Sequence, residues 1–126
     1  MKYKHYAPRA ELTLVEPTEG QGEDAAAVER MIQRVNRLAQ EKLAAGSRVG
    51  IICTDESRDR YEGGLVRSIG ARAKKETVAH NLYAVLREFD DLKVDYIYSE
   101  SFSEDHLGQA IMNRLSKAAG YHIERV

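Results

Sequence analysis

Two polar clusters follow directly on apolar runs, the position at which an open α/β sheet presents side chains to a ligand. Thr54-Asp55-Glu56 follows Val49-Gly50-Ile51-Ile52-Cys53, and a carboxylate pair there has the composition to hold a metal ion or a ribose hydroxyl. The plainer account is that Asp55 caps a turn or short helix at residues 56–61 and that Glu56 stands in solvent. Ser99-Glu100-Ser101-Phe102-Ser103-Glu104-Asp105-His106 combines hydroxyls, acids and an imidazole at the end of a second apolar run. A hydrolase using Ser101 or Ser103 would need a G-x-S-x-G elbow, which the sequence lacks. Ser103 or Asp105 reads better as a helix cap.

Other chemistry-bearing types are weaker signals. Gly20-Gln21-Gly22-Glu23-Asp24-Ala25 matches G-x-G-x-x-A, yet Glu23 and Asp24 set carboxylates where a pyrophosphate would lie, so a loop plus an Asp24 cap is the better reading. His80, His106 and His122 provide no i, i+4 pair, and no metal or catalytic residue is assigned. The one cysteine, Cys53, excludes an internal disulfide; within an apolar strand it reads as a small buried hydrophobe. The amino-terminal segment is richer: Lys2, Lys4 and Arg9 alternate with Tyr3, His5 and Tyr6 ahead of Pro8. Such an arm has cations for phosphate and aromatic surfaces for stacking, no periodicity of its own, and gains order by docking.

The elements that must position these residues follow from apolar spacing. Leu12-Thr13-Leu14-Val15 predicts a short strand; Val28, Met31, Ile32, Val35, Leu38, Ala39 and Leu43 predict a long helix from Asp24 that ends at Gly46. Residues 48–53 predict a strand covered on both faces, and residues 65–69 another that ends at Gly70. Helix 74–92, strand 95–100, a helix marked by Leu107, Ile111, Leu115 and Ala118, and strand 121–126 complete the alternation. Strands alternating with helices imply a mainly parallel sheet with helices on both faces, a three-layer Rossmann-like α/β sandwich. Within it Asn113 and Arg114 are surface positions of the third helix.

The chain has 126 residues, 43% hydrophobic and 31% charged, with a formal net charge of −1. That is the size of one domain able to bury roughly two-thirds of its unfolded surface. Balanced charge argues against a general nucleic-acid binder, and no run has the length and apolarity of a membrane span or signal peptide. A cytoplasmic location is the expectation.

Three separated stretches carry a family resemblance. Met1-Lys2-Tyr3-Lys4-His5-Tyr6-Ala7-Pro8-Arg9-Ala10 resembles the interdomain linker of the two-domain threonylcarbamoyl-AMP synthases. Asn81-Leu82-Tyr83-Ala84-Val85-Leu86-Arg87-Glu88-Phe89-Asp90 and the stretch from Leu107-Gly108-Gln109 through Asn113-Arg114-Leu115 to Gly120 resemble their C-terminal domain. The resemblance implies a linker at residues 1–10 and a Rossmann-like body at residues 11–126. It also implies that the chain is inactive alone, because nothing in it corresponds to the family's YrdC-like catalytic domain.

In such a parent enzyme, ATP, L-threonine and bicarbonate give threonylcarbamoyl-AMP for the threonylcarbamoyladenosine modification of tRNA. ATP and magnesium would be bound by the catalytic domain, the principal partner, and the resemblance leaves any tRNA contact indirect or unspecified. The linker positions Lys2, Tyr3, His5 and Tyr6 would then gate the nucleotide and threonine pocket. Asp55, Asn81, Arg87, Asp90, Glu100, Asn113 and Arg114 are the candidate crevice or interface residues of the body. The competing expectation is a free-standing nucleotide-binding or regulatory module with its site at Asp55 and Glu100.

Overall fold

In the computed structural model, residues 8–18, 24–103, 107–120 and 122–126 are described. Alternating side chains of the first strand, β1 (Glu11–Glu16), divide between two cores: Leu12 and Leu14 face one, Val15 the other. That division is the period-two geometry of a strand covered on both sides. The order continues α1 (Ala25–Ala44), β2 (Val49–Cys53), a 3₁₀ turn at Arg58–Arg60, β3 (Leu65–Ser68), α2 (Lys75–Asp91), β4 (Tyr96–Glu100), α3 (Leu107–Ala118) and β5 (Ile123–Arg125).

The five strands form one sheet in the order β3-β2-β4-β1-β5, and every paired neighbour is parallel. β1 therefore lies inside the sheet, pairing Glu11 with Tyr96 of β4 and Leu14 with Ile123 of β5. The mainly parallel three-layer sandwich expected from the sequence is present, but its strand order departs from the 3-2-1-4-5 arrangement of dinucleotide-binding folds. Here the crossover from β1 to β2 leaves a gap that β4 later fills.

Helix α1 covers one face through Met31, Ile32, Val35 and Ala39, which pack on Val15, Ile51 and Tyr98. On the other face, α2 and α3 bury Leu82, Leu86, Phe89, Ile111 and Leu115 against Leu12, Leu14 and Ile97. Gly50 permits one of these close approaches: a Cβ there would stand 2.7 Å from the Phe89 ring.

The ends of α1 divide the expectations. Gly46 takes φ 90° and the Ser47 N–H donates to Lys42 O, so the left-handed stop is formed as expected. At the other end Asp24 is the N-cap residue, but its side chain makes no cap hydrogen bond; only its carbonyl serves, accepting from the Val28 N–H at 2.9 Å. The helix is held by its buried stripe instead. No helix among the described residues is long and apolar enough to cross a membrane.

Candidate functional site

Because the strands are parallel, their carboxyl ends share one rim, and the loops leaving β2, β3 and β4 meet there. Helix α1 follows β1 on one face and α3 follows β4 on the other, so the switch point of the sheet lies between these two neighbours. Glu100, the last residue of β4, stands at this point and is fully buried.

A buried carboxylate is stable only when paired and hydrogen-bonded. Glu100 has both kinds of partner. Arg72 Nη2, from the loop before α2, donates to Oε1 at 2.7 Å, while Ser57 Oγ, from the loop after β2, donates to Oε2 at 2.6 Å. The Tyr61 hydroxyl donates to Oε2 as well. Arg72 Nη1 also donates to the Ser101 carbonyl at 2.8 Å, and its guanidinium lies 4.5 Å from the Phe102 ring centre. One carboxylate at the end of β4 thus ties together the loops that follow β2 and β3.

Adjacent acids brace the same rim. Glu56 accepts the backbone N–H groups of Arg72 at 2.7 Å and Ala73 at 3.2 Å. Burial pushes its carboxyl up, but these amide donors outweigh it and hold the group below its ordinary value. Asp55 accepts the Ser68 hydroxyl at 2.5 Å. The expectation of Asp55 as a helix cap is corrected, since Asp55 links the ends of β2 and β3; Glu56 is exposed as expected, yet it also caps a loop 16 residues away. Short polar acceptors beside exposed amides outcompete solvent here.

The rim holds protons tightly. Burial, followed by the nearby Glu100 charge, pushes the Cys53 thiol up to about 12 and the Tyr61 hydroxyl well above its usual range. Both remain neutral donors at ordinary pH, so neither is an activated nucleophile. The arrangement is chemically a clamp.

The remaining candidates do not share this rim. Asn81 is near it, donating Nδ2 to the Ile69 carbonyl at 3.1 Å. Arg87 is exposed further along α2, and Asp90, in the last turn of that helix, accepts the backbone N–H of Arg9 at 2.9 Å. Asn113 is exposed on α3, where Arg114 lies 5.9 Å from the Tyr83 ring centre. Ser103 accepts Lys75 Nζ at 3.1 Å, and the helix start that it or Asp105 is expected to cap lies outside the described residues. Lys2, Tyr3, His5 and Tyr6, as well as Gly20, Gly22, Glu104, Asp105 and His106, lie outside the described residues.

Arg72, Tyr61 and Ser57 escape sequence reasoning because their partner is tens of residues away and no fixed spacing announces it. The groove of about 350 Å³ lined by Arg30, Gln33, Arg34, Arg37 and Val126 is also missed, although three arginines at i, i+4 and i+7 are a readable stripe. Within it Arg34 is ion-paired with Glu124. Among the described residues no three His, Cys, Asp or Glu side chains gather as a metal site.

Fold and rim together define a parallel α/β domain whose switch point is closed by its own ion pair. A family model described as the C-terminal domain of threonylcarbamoyl-AMP synthase matches residues 1–120, and the chain belongs to that family. It is 44% identical over 125 residues to the threonylcarbamoyl-AMP synthase of Bacillus subtilis, covering 99% of this chain and 32% of that protein. With the Pyrococcus abyssi enzyme of the same name, identity is 35% over 126 residues, covering 100% of this chain and 33% of that protein.

Among solved structures, P. abyssi Sua5 complexed with L-threonine superposes with a TM-score of 0.72 at 35% identity, over 100% of this chain and 33% of that one. The C-terminal Sua5 domain from Pyrococcus horikoshii gives 0.69 at 32% identity, over 95% of this chain and 100% of that one. The chain therefore spans about a third of the length of the curated relatives it matches.

Proposed function

We propose that this chain is the accessory part of a threonylcarbamoyl-AMP synthase, in which residues 1–10 gate the pocket of a YrdC-like catalytic domain. The observation that carries this reading is the span of the family match, which includes the amino-terminal arm as well as the body. In the parent reaction ATP, L-threonine and bicarbonate give threonylcarbamoyl-AMP, pyrophosphate and water. Lys2, Tyr3, His5 and Tyr6 are the arm residues suited to the gate, with cations to meet phosphoryl charge and rings to cover a bound ligand. A closed strap also keeps water from a mixed anhydride that hydrolyses readily.

The body supports this role by holding the arm rather than by reacting. Its buried carboxylate at the switch point already accepts from three donor side chains, which supports a structural role for Glu100 over a ligand-binding one. The purified chain should make no threonylcarbamoyl-AMP from ATP, threonine and bicarbonate, whereas the chain joined behind a YrdC-like domain should. Synthesis by the chain alone would overturn the accessory reading. Thermal stabilisation of the isolated chain by ATP or AMP would favour the nucleotide module instead.

A further inference from the structure

The amino ends of the parallel strands form a second rim, opposite Glu100 and separated from it by the length of a strand, roughly 17–20 Å. The amino-terminal arm enters the body here. Glu11 N–H donates to the Asp95 carbonyl at 3.2 Å, and Ala10 packs on the core shared with α2 and α3. One residue earlier, the Arg9 N–H donates to Asp90 Oδ1 at 2.9 Å, a contact that spans 81 positions of sequence.

Asp90 is an unexpected residue for its place. Helix α2 has no base in its last turn and ends in Asp90-Asp91, where negative charge opposes the helix dipole. Placing an acid there costs helix stability, and the contact with the arm supplies an offsetting use. The surrounding rim is fixed as well: Arg48 donates Nη2 to the Leu92 carbonyl at 2.8 Å, and its N–H donates to Asp95 Oδ2 at 2.9 Å. The acceptor that holds Arg9 is therefore carried by a braced helix end.

We infer that Asp90 is a positioning residue for the gate: by holding the Arg9 amide it anchors the foot of the arm that carries the proposed gating residues. This deepens the proposed gating role and rests on it. Pro8 stiffens the next step, because its φ is locked and the residue before it is biased to extended backbone. A fixed foot followed by a stiff step limits the region that the gating residues can search.

The test uses the two-domain polypeptide in which this chain follows a YrdC-like domain, with Asp90→Ala, Asp90→Asn and, as a control at the same helix end, Asp91→Ala. In Asp90→Ala, exchange protection of the Arg9 amide should fall roughly 10- to 100-fold, as expected for losing one hydrogen bond to a charged acceptor. KM for threonine and ATP should rise by about 3-fold or more with kcat less affected, the signature of lost positioning rather than lost chemistry. Asp90→Asn keeps an acceptor oxygen and should restore both readouts toward wild type, and Asp91→Ala should move neither.

Unchanged Arg9 protection in Asp90→Ala, or lost protection with unchanged KM, would overturn the positioning role. A wild-type protein whose residues 2–6 gain no protection when threonine and ATP bind would instead overturn the gating reading itself. Reduced melting temperature with wild-type KM would assign Asp90 to stability only and would also overturn the inference.

Discussion

At the scale of single residues, Glu100 is the most consequential side chain of the body. Removing one partner from a buried ion pair leaves an uncompensated charge and costs about 3–5 kcal/mol. Arg72→Ala should therefore lower unfolding free energy by about that amount, whereas Tyr61→Phe, which removes one donor to a charged acceptor, should cost about 1.5–3 kcal/mol. Urea denaturation of the two variants checks the order. Cys53 gives a pH dependence of definite sign. In the folded chain its thiol is held at about 12 against an ordinary 9.0, so the unfolded chain binds fewer protons between those values and stability falls as pH rises through that window. Cys53→Ala should reduce the steepness of alkaline unfolding by up to about 1.4 kcal/mol per pH unit, the linkage of one proton. Denaturant titrations from pH 8 to 11 read that slope. The buried state of Cys53 is legible from its place in an apolar strand. The partners of Glu100 are not, since Arg72 and Ser57 sit in loops where composition says only that the chain turns.

Whole elements were the most readable part of the sequence. Each helix shows a three-and-four apolar spacing that becomes its buried stripe, and β2 is an apolar run of strand length buried throughout. Edges are less legible: strand 121–126 of the sequence reading narrows to β5 at Ile123–Arg125, where pairing with β1 sets the length. The packing of α2 on β2 could not be read at all, because Gly50 looks like any strand glycine until the Phe89 ring is seen above it. Gly50→Ala would force a Cβ to within 2.7 Å of that ring and should cost about 1–3 kcal/mol. In the Gly50→Ala background Phe89→Leu should cost less than it does in the native background, because the shorter side chain relieves the clash. A double-mutant cycle on thermal unfolding would expose this coupling, and strictly additive effects would show that the contact relaxes without strain.

For the molecule as a whole, two rims divide the work. The carboxyl rim is locked by Glu100 and its donors, while the amino rim receives the arm through Asp90. The sequence makes the layers of the sandwich legible but not the strand order, because apolar spacing says which face is buried and nothing about which strand lies beside which. That order has a consequence for how the protein is made. β1, the first strand of this domain to leave the ribosome, finds its neighbours only in β4 and β5, the last two of its sheet. Until those residues emerge, its backbone groups have no sheet to join, and contacts of such long sequence separation form slowly. A domain synthesised ahead of this chain would thus have time to fold while β1 still waits for its partners, so the strand behind Arg9 and Ala10 would be anchored only once β4 and β5 have emerged. Cleavage that removes β4 and β5 would expose both edges of β1, a template for pairing between chains.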